Sequence, residues 1–247
     1  MRTANPALSE RVWRHEGHAH TSGSMTIDGT MNKALLLFLV LMVPAAYVWV
    51  NMASLLESGL LSPLLFGSII LGFIVAIITI FTPRYAMYTS PVYAFLEGIV
   101  LGGISALLEQ SYPGIVVQAM ALTFGTTFIM LMLYRSRTLR ATKGFRMGVL
   151  AATGGIALVY LVSIIGGMFG LNIPFIHGSG PIGIGFSLFV VVVAALNLVL
   201  DFDFIERGAK QRAPKHMEWY GAFGLMVTLV WLYIEILRLL SKIRNRT

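Results

Sequence analysis

The sequence predicts an all-α membrane protein that crosses the bilayer seven times. Of its 247 residues, 57% are hydrophobic and only 12% are charged, and the mean hydropathy is +0.79. That excess of apolar residues and scarcity of charge lie outside the range of soluble domains. Seven apolar stretches each have about the 20 residues that a helix needs to cross the hydrocarbon core. Backbone polar groups in lipid must be satisfied within their own segment, so these stretches are predicted to be helices.

The predicted helices follow one another with short polar breaks. We place them at residues 33–52, 61–82, 91–110, 114–134, 146–170, 180–201 and 219–241. Residues 33–247 are therefore expected to form one seven-helix transmembrane domain. Residues 1–32 are polar and mixed in charge, and we predict that they are a disordered cytoplasmic tail.

Small residues at helical spacing indicate where predicted helices pack closely. Gly98 and Gly102 form a small-xxx-small pair in the third helix, and Gly183 and Gly185 lie in the sixth. Missing side chains allow two helices to approach, so these pairs favour a compact bundle.

The distribution of basic residues predicts the orientation. Lys and Arg occur in the tail and then after the second, fourth and sixth predicted helices, whereas the other loops between helices have none. The positive-inside rule therefore places the N-terminus in the cytoplasm, and in a bacterium the membrane would be the cytoplasmic one. Lys242, Arg244 and Arg246 follow the seventh predicted helix and break the pattern; we favour a crossing despite them. The net charge of +7 then reflects topology, and no nucleic acid is expected as a partner.

Asp201 is the acidic residue that the sequence explains least. Asp203 precedes Arg207 by four residues, as Glu206 precedes Lys210, and this spacing favours ion pairs along a helix. Asp201 has no such partner, and it shares a helix face with Asn197. It lies at the inner edge of the hydrocarbon, where acids are costly and usually face a protein interior. It is either an ion-binding or titrating group or an interfacial anchor.

Three further charged positions fall inside predicted helices. Glu97 lies about 9 Å into the third helix, counted from Pro91 at 1.5 Å per residue, and Arg84 is a candidate charge partner for it. Glu235 has Arg238 three residues later, so a local ion pair is expected. The remaining acids, Glu218 among them, fall at segment ends, in loops or in the tail, where solvated charge is expected.

Several chemistries are excluded by missing residues. The chain has no cysteine, which removes disulfides and thiolate chemistry. The tail carries "HEGHAH", but a metalloprotease helix needs HExxH and Ala19 stands where the second histidine belongs. Aspartyl intramembrane proteolysis needs aspartates on two helices, and those at membrane depth lie on one. We therefore predict that the protein is not an enzyme and has no resident cofactor or firmly assigned metal.

Three stretches resemble the Bax inhibitor-1/YccA-like family of transmembrane Bax inhibitor motif proteins. They are "EGIVLGGISALLEQSYPGIVVQAMALTFGTTF", "VLDFDFIERGA" and "LVWLYIEILRLLSKI". The resemblance implies a bundle of two three-helix layers around a central C-terminal helix. It also implies a pH-sensitive calcium leak, gated in several members by two aspartates, one on the sixth helix and one on the seventh.

The sequence lacks one of the two aspartates of that pair. Asp201 matches the sixth-helix aspartate, but the seventh-helix position falls at about Thr228. Glu97 would supply the second carboxylate, or Glu235, two turns beyond Thr228, would do so, or the gate is lost. Two close carboxylates cannot both ionise cheaply, which is why such a pair responds to pH.

Two functions follow from the resemblance and the acids. The first is a cation leak channel or pH-responsive ion sensor, with the bilayer, calcium ions or protons as partners, calcium binding only transiently, and Asp201, Glu97, Asp203, Thr228 and Glu235 as candidate sensing positions. The alternative is a non-conducting regulator of a membrane protease or of a stress or cell-death pathway.

Overall fold

The computed structural model describes residues 23–169 and 178–246, apart from the side chain of Met168. This part of the chain contains seven long helices, each long and apolar enough to span a membrane. They are α1 (Ile27–Val50), α2 (Leu61–Phe81), α3 (Ala86–Ser111), α4 (Ile115–Arg135), α5 (Lys143–Met168), α6 (Pro181–Lys210) and α7 (Met217–Arg244). The predicted all-α, seven-helix fold is confirmed.

Some helix ends differ from the prediction because polar residues extend the helices beyond their apolar stretches. α1 begins at Ile27, inside the segment assigned to the tail, since the Thr26 hydroxyl accepts a hydrogen bond from the Gly29 amide at 3.0 Å and caps the helix. α6 continues past the predicted end at Asp201 to Lys210. Pro91 lies inside α3 rather than at its start, as transmembrane helices tolerate.

The contacts divide the chain into two compact units, and the boundary cuts α6 after Phe202 and α7 after Val227. We call the first the α4–α5 unit: it holds α4, α5, the beginning of α6 and α7 from Thr228 onward. We call the second the α1–α3 unit: it holds α1, α2, α3, the end of α6 and α7 up to Val227.

In the α1–α3 unit, α3 packs on α1 through glycines. A Cβ atom on Gly98 would lie 2.1 Å from the Leu41 carbonyl oxygen, and one on Gly102 would lie 2.6 Å from the Ala45 carbonyl oxygen. Only glycine permits this approach. The close packing predicted at this pair is confirmed, whereas Gly185 has no atom within 4 Å of such a Cβ and holds no helix close.

In the α4–α5 unit, an apolar layer joins α5 to α6. Ile156, Val190 and Val193 are buried in it, and Trp231 of α7 is among the side chains that pack against them. We call these four residues the apolar layer.

Burial is uneven among the seven helices. In α3 and α7, 56% of the most apolar stretch is buried, and 50% in α6, whereas the other four helices have 17–28%. The last helix is thus one of the two most buried, as expected for a central C-terminal helix, and the less buried helices present apolar side chains to lipid.

Candidate functional site

Asp201 is completely buried, with 0% of its surface exposed. The two residues that precede it on the same face of α6, Asn197 and Ala194, are buried as well. The predicted interior position of this carboxylate is therefore correct. A carboxyl held at membrane depth inside protein is costly to ionise, so its charge depends on what approaches it.

Asn197, one turn before Asp201, connects α6 to α5. Its side-chain amide donates to the Thr153 hydroxyl and to the Val193 carbonyl oxygen, both at 2.9 Å. Asp201 and this hydrogen bond, one helical turn apart, form one polar level of the α4–α5 unit. The sequence placed Asn197 on the correct face but gave no sign of Thr153, which is 44 positions away.

Asp203 differs from Asp201 although only one residue separates them. Its carboxylate oxygen lies 2.9 Å from the Arg207 guanidinium, and 15% of the side chain is exposed. Glu206 likewise forms an ion pair with Lys210. Both predicted pairs are confirmed, so Asp203 has the structural role that its spacing indicated.

Thr228 and Glu235 are both buried on α7. The Tyr160 hydroxyl of α5 donates to the two Glu235 oxygens, at 2.9 and 3.0 Å. Arg238 donates to the same carboxylate at 3.2 Å, and its guanidinium lies 4.9 Å from the centre of the Tyr160 ring. The predicted Glu235–Arg238 pair is confirmed, and Tyr160 is a partner that local spacing could not reveal.

Lys242 forms a buried polar contact between α7 and α6 in the α4–α5 unit. It lies within α7 and is 6% exposed. Its ammonium donates to the Ser187 hydroxyl at 2.8 Å and to the Gly183 carbonyl oxygen at 3.1 Å. The expectation that Lys242 follows the seventh helix is wrong, because these α6 oxygens satisfy the ammonium inside the protein and the helix continues past it.

Glu97 lies in the α1–α3 unit, so it belongs to a different unit from Asp201. It is partly buried on α3, and its hydrogen-bond partner is the hydroxyl of Tyr93, one turn earlier. Tyr93 in turn packs edge-on against Phe223, with ring centres 5.2 Å apart. Arg84 is exposed on the turn before α3, and within the described residues no ion pair joins it to Glu97.

Glu218 is the acidic residue that the sequence misjudged most. It was expected to be solvated, yet it is fully buried. Its carboxylate accepts hydrogen bonds from the Thr26 amide and hydroxyl, both at 2.9 Å, from Lys215 at 2.8 Å and from Lys33. The cause is the chain before α1, where the Met25 amide donates to the Ala213 carbonyl oxygen at 2.7 Å. The only local sign in the sequence that Glu218 is paired was Lys215, three residues earlier.

Within the described ranges, no group of three or more His, Asp or Glu residues could hold a metal ion. The histidines of "HEGHAH" lie outside those ranges. Oxygen atoms for a cation would therefore come from single carboxylates together with hydroxyl and carbonyl groups.

Seven spanning helices with buried polar residues between them define a polytopic α-helical membrane protein. The chain belongs to the Bax inhibitor 1 like family, whose model matches residues 5–245. The resemblance drawn from three short stretches is thus confirmed over almost the whole chain. The family is not a known enzyme family. A comparison with the curated proteins gives no match.

Proposed function

We propose that this protein is a membrane cation leak channel or pH-responsive ion sensor in which Asp201 is the responsive group. The observation that supports this role is the complete burial of Asp201 within a membrane-spanning helix. Buried intramembrane acids are expensive, and they usually bind an ion, exchange a proton or face a pathway. No catalytic chemistry is assigned to the protein.

Calcium is the proposed ion because a carboxylate is a hard oxygen ligand. One carboxylate cannot complete a calcium site, so carbonyl oxygens and waters would supply the other ligands and the ion would bind only in passing. A proton competes for the same oxygens, which couples calcium to pH. Glu97 is proposed as a helper carboxylate.

Thr228 at the seventh-helix position changes the expected pH response. A pair of close carboxylates titrates in two coupled steps that belong to the pair. Thr228 is buried but does not titrate, so Asp201 acting alone would give a pH dependence of calcium flux with a single step. A second, clearly separated step would assign the helper role to another carboxylate, and its loss in Glu97→Gln would identify that residue.

The test is calcium flux through proteoliposomes that contain the full-length protein, measured across a pH series. We expect the wild-type flux to change with pH and Asp201→Asn to abolish that dependence. Asp203→Asn is the matched control, because it removes an aspartate from the same helix that is already paired with Arg207. Equal flux in the wild type, in Asp201→Asn and in empty vesicles would reject the proposal.

The alternative, a non-conducting regulator of a membrane protease or of a stress or cell-death pathway, is favoured by that same negative result. Its own test is co-purification from detergent-solubilised membranes. A stoichiometric membrane protease bound to a protein that carries no ion flux would establish it.

A further inference from the structure

The Lys242 ammonium occupies a position lined by oxygen atoms. Its two described hydrogen-bond acceptors are the Ser187 hydroxyl, at 2.8 Å, and the Gly183 carbonyl oxygen, at 3.1 Å. Both are uncharged oxygens on the first turns of α6. Carbonyl oxygens also replace the hydration shell of a monovalent cation in selective channels, and a hydroxyl offers a second uncharged oxygen acceptor.

The charges around this position follow one face of α7. Glu235, Arg238 and Lys242 are spaced by three and four residues, so they share that face. Glu235 forms an ion pair with Arg238 at 3.2 Å, and both residues act electrostatically on Lys242. Together the three side chains carry a formal charge of +1.

The position of Lys242 in the α4–α5 unit bears on ion passage. Asp201 and the Asn197–Thr153 hydrogen bond form one polar level. Beyond the apolar layer come Glu235 with Tyr160 and then Lys242 with Ser187. Along α6, Ser187 precedes Asp201 by 14 residues, which corresponds to about 21 Å at 1.5 Å per residue. Lys242 therefore lies at the opposite end of the unit from Asp201.

We propose that the Lys242 side chain is a tethered cation that fills a binding position for a small monovalent cation, formed by Ser187 and Gly183, and thereby blocks cation passage at this end of the α4–α5 unit. This role rests on the proposed function, because it assumes a pathway through the unit. Removal of the ammonium leaves the two oxygens available to potassium or sodium. If Lys242 had only a structural role, its removal would leave no cation-binding position.

The first measurement is binding, which does not depend on any flux. The thermal unfolding temperature of purified Lys242→Met is measured in potassium chloride and in N-methylglucamine chloride at equal ionic strength. A ligand that binds only the folded state raises stability with its concentration. We expect potassium to raise the unfolding temperature of Lys242→Met and to leave the wild type and Lys210→Met unchanged. Lys210 is the control because its side chain is largely exposed.

The second measurement is potassium flux from proteoliposomes. Lys242→Met is expected to raise it by about tenfold, the change produced by a barrier lower by roughly 1.4 kcal/mol. Lys242→Arg keeps a charge and is expected to leave the flux near that of the wild type. The exchange variant, Lys242→Ser with Ser187→Lys, returns an ammonium and a hydroxyl to the same place and is expected to restore low flux.

The outcomes separate this inference from the proposed function. If Lys242→Met neither binds nor passes potassium while the wild type shows pH-dependent calcium flux, the blocking role is wrong and the proposed function stands. If Lys242→Met gains potassium binding and flux while the wild type carries no calcium, the pathway and its block stand and the proposed calcium leak fails. Potassium binding without added flux would show that Lys242 does not block cation passage.

Discussion

The Glu218 carboxylate accepts two hydrogen bonds from Thr26, one from its amide and one from its hydroxyl, both at 2.9 Å, although 192 positions separate the two residues. Lys33 and Lys215 form ion pairs with the same carboxylate. The beginning of α1 is thereby fixed to the beginning of α7 within the α1–α3 unit. Four hydrogen-bond donors thus converge on one buried acid.

Glu218→Ala should destabilise the protein strongly. The substitution removes hydrogen bonds to a charged acceptor, which are typically worth about 1.5–3 kcal/mol, while the side chains of Lys33 and Lys215, 19% and 44% exposed, return to water. Glu218→Gln keeps an acceptor for Thr26 and should lose less. The unfolding temperature in detergent measures both, with Glu57→Ala as the control because Glu57 is exposed. Equal unfolding temperatures for Glu218→Ala and Glu57→Ala would contradict the expectation.

Gly98→Ala should force α3 away from α1. The added methyl group would meet the Leu41 carbonyl oxygen at 2.1 Å and the Pro44 ring at 2.7 Å, and overpacking of this kind costs about 1–3 kcal/mol. Gly125→Ala is the matched control, because open space surrounds that helical glycine and alanine is favoured over glycine in a helix by up to about 1 kcal/mol. The two substitutions should shift the unfolding temperature in opposite directions, and parallel shifts would refute the close approach.

Tyr160→Phe should weaken the link between α5 and α7. The change removes the hydroxyl that donates to both oxygens of Glu235, and a buried acceptor left with fewer donors costs about 1–3 kcal/mol. In a Glu235→Leu background the same substitution should cost much less, because the two residues no longer interact. A double-mutant cycle on the free energy of unfolding measures this coupling. Additive costs would show that the hydroxyl does not stabilise Glu235.

The orientation of the chain can be measured with single cysteines, since the natural sequence has none. Ser58→Cys and Thr138→Cys place a thiol in exposed segments after α1 and after α4. With the N-terminus in the cytoplasm, a membrane-impermeant maleimide added to intact cells should label position 58 and not position 138. Labelling of position 138 alone would show that the chain has the opposite orientation. Arg246→Cys tests the C-terminus, and we expect labelling from outside.

The spans and the short-range ion pairs were predictable because their causes are local. A run of apolar residues determines a membrane helix without reference to the rest of the chain. Arg207, Lys210 and Arg238 each lie within one turn of their acids, so spacing alone identified the pairs.

The long-range partners could not be predicted from local spacing. Tyr160 is 75 positions from Glu235, and Lys242 is 55 from Ser187. Glu218 looked like a solvated residue at a helix end because Thr26 and Lys33 belong to the opposite end of the chain. Such contacts depend on how helices pack, and one sequence carries no direct record of that packing.

The apolar layer of the α4–α5 unit has a consequence for the movement of protons. Along α5, Thr153 and Tyr160 are seven residues apart, a rise of about 10 Å, which no single hydrogen bond or bridging water covers. Ile156, Val190 and Val193 fill that interval with groups that neither donate nor accept. Under the proposed function, a Grotthuss relay would be interrupted there, so transport through this unit would wait for rare moments of wetting. Its rate would then depend steeply on the bulk of three aliphatic side chains.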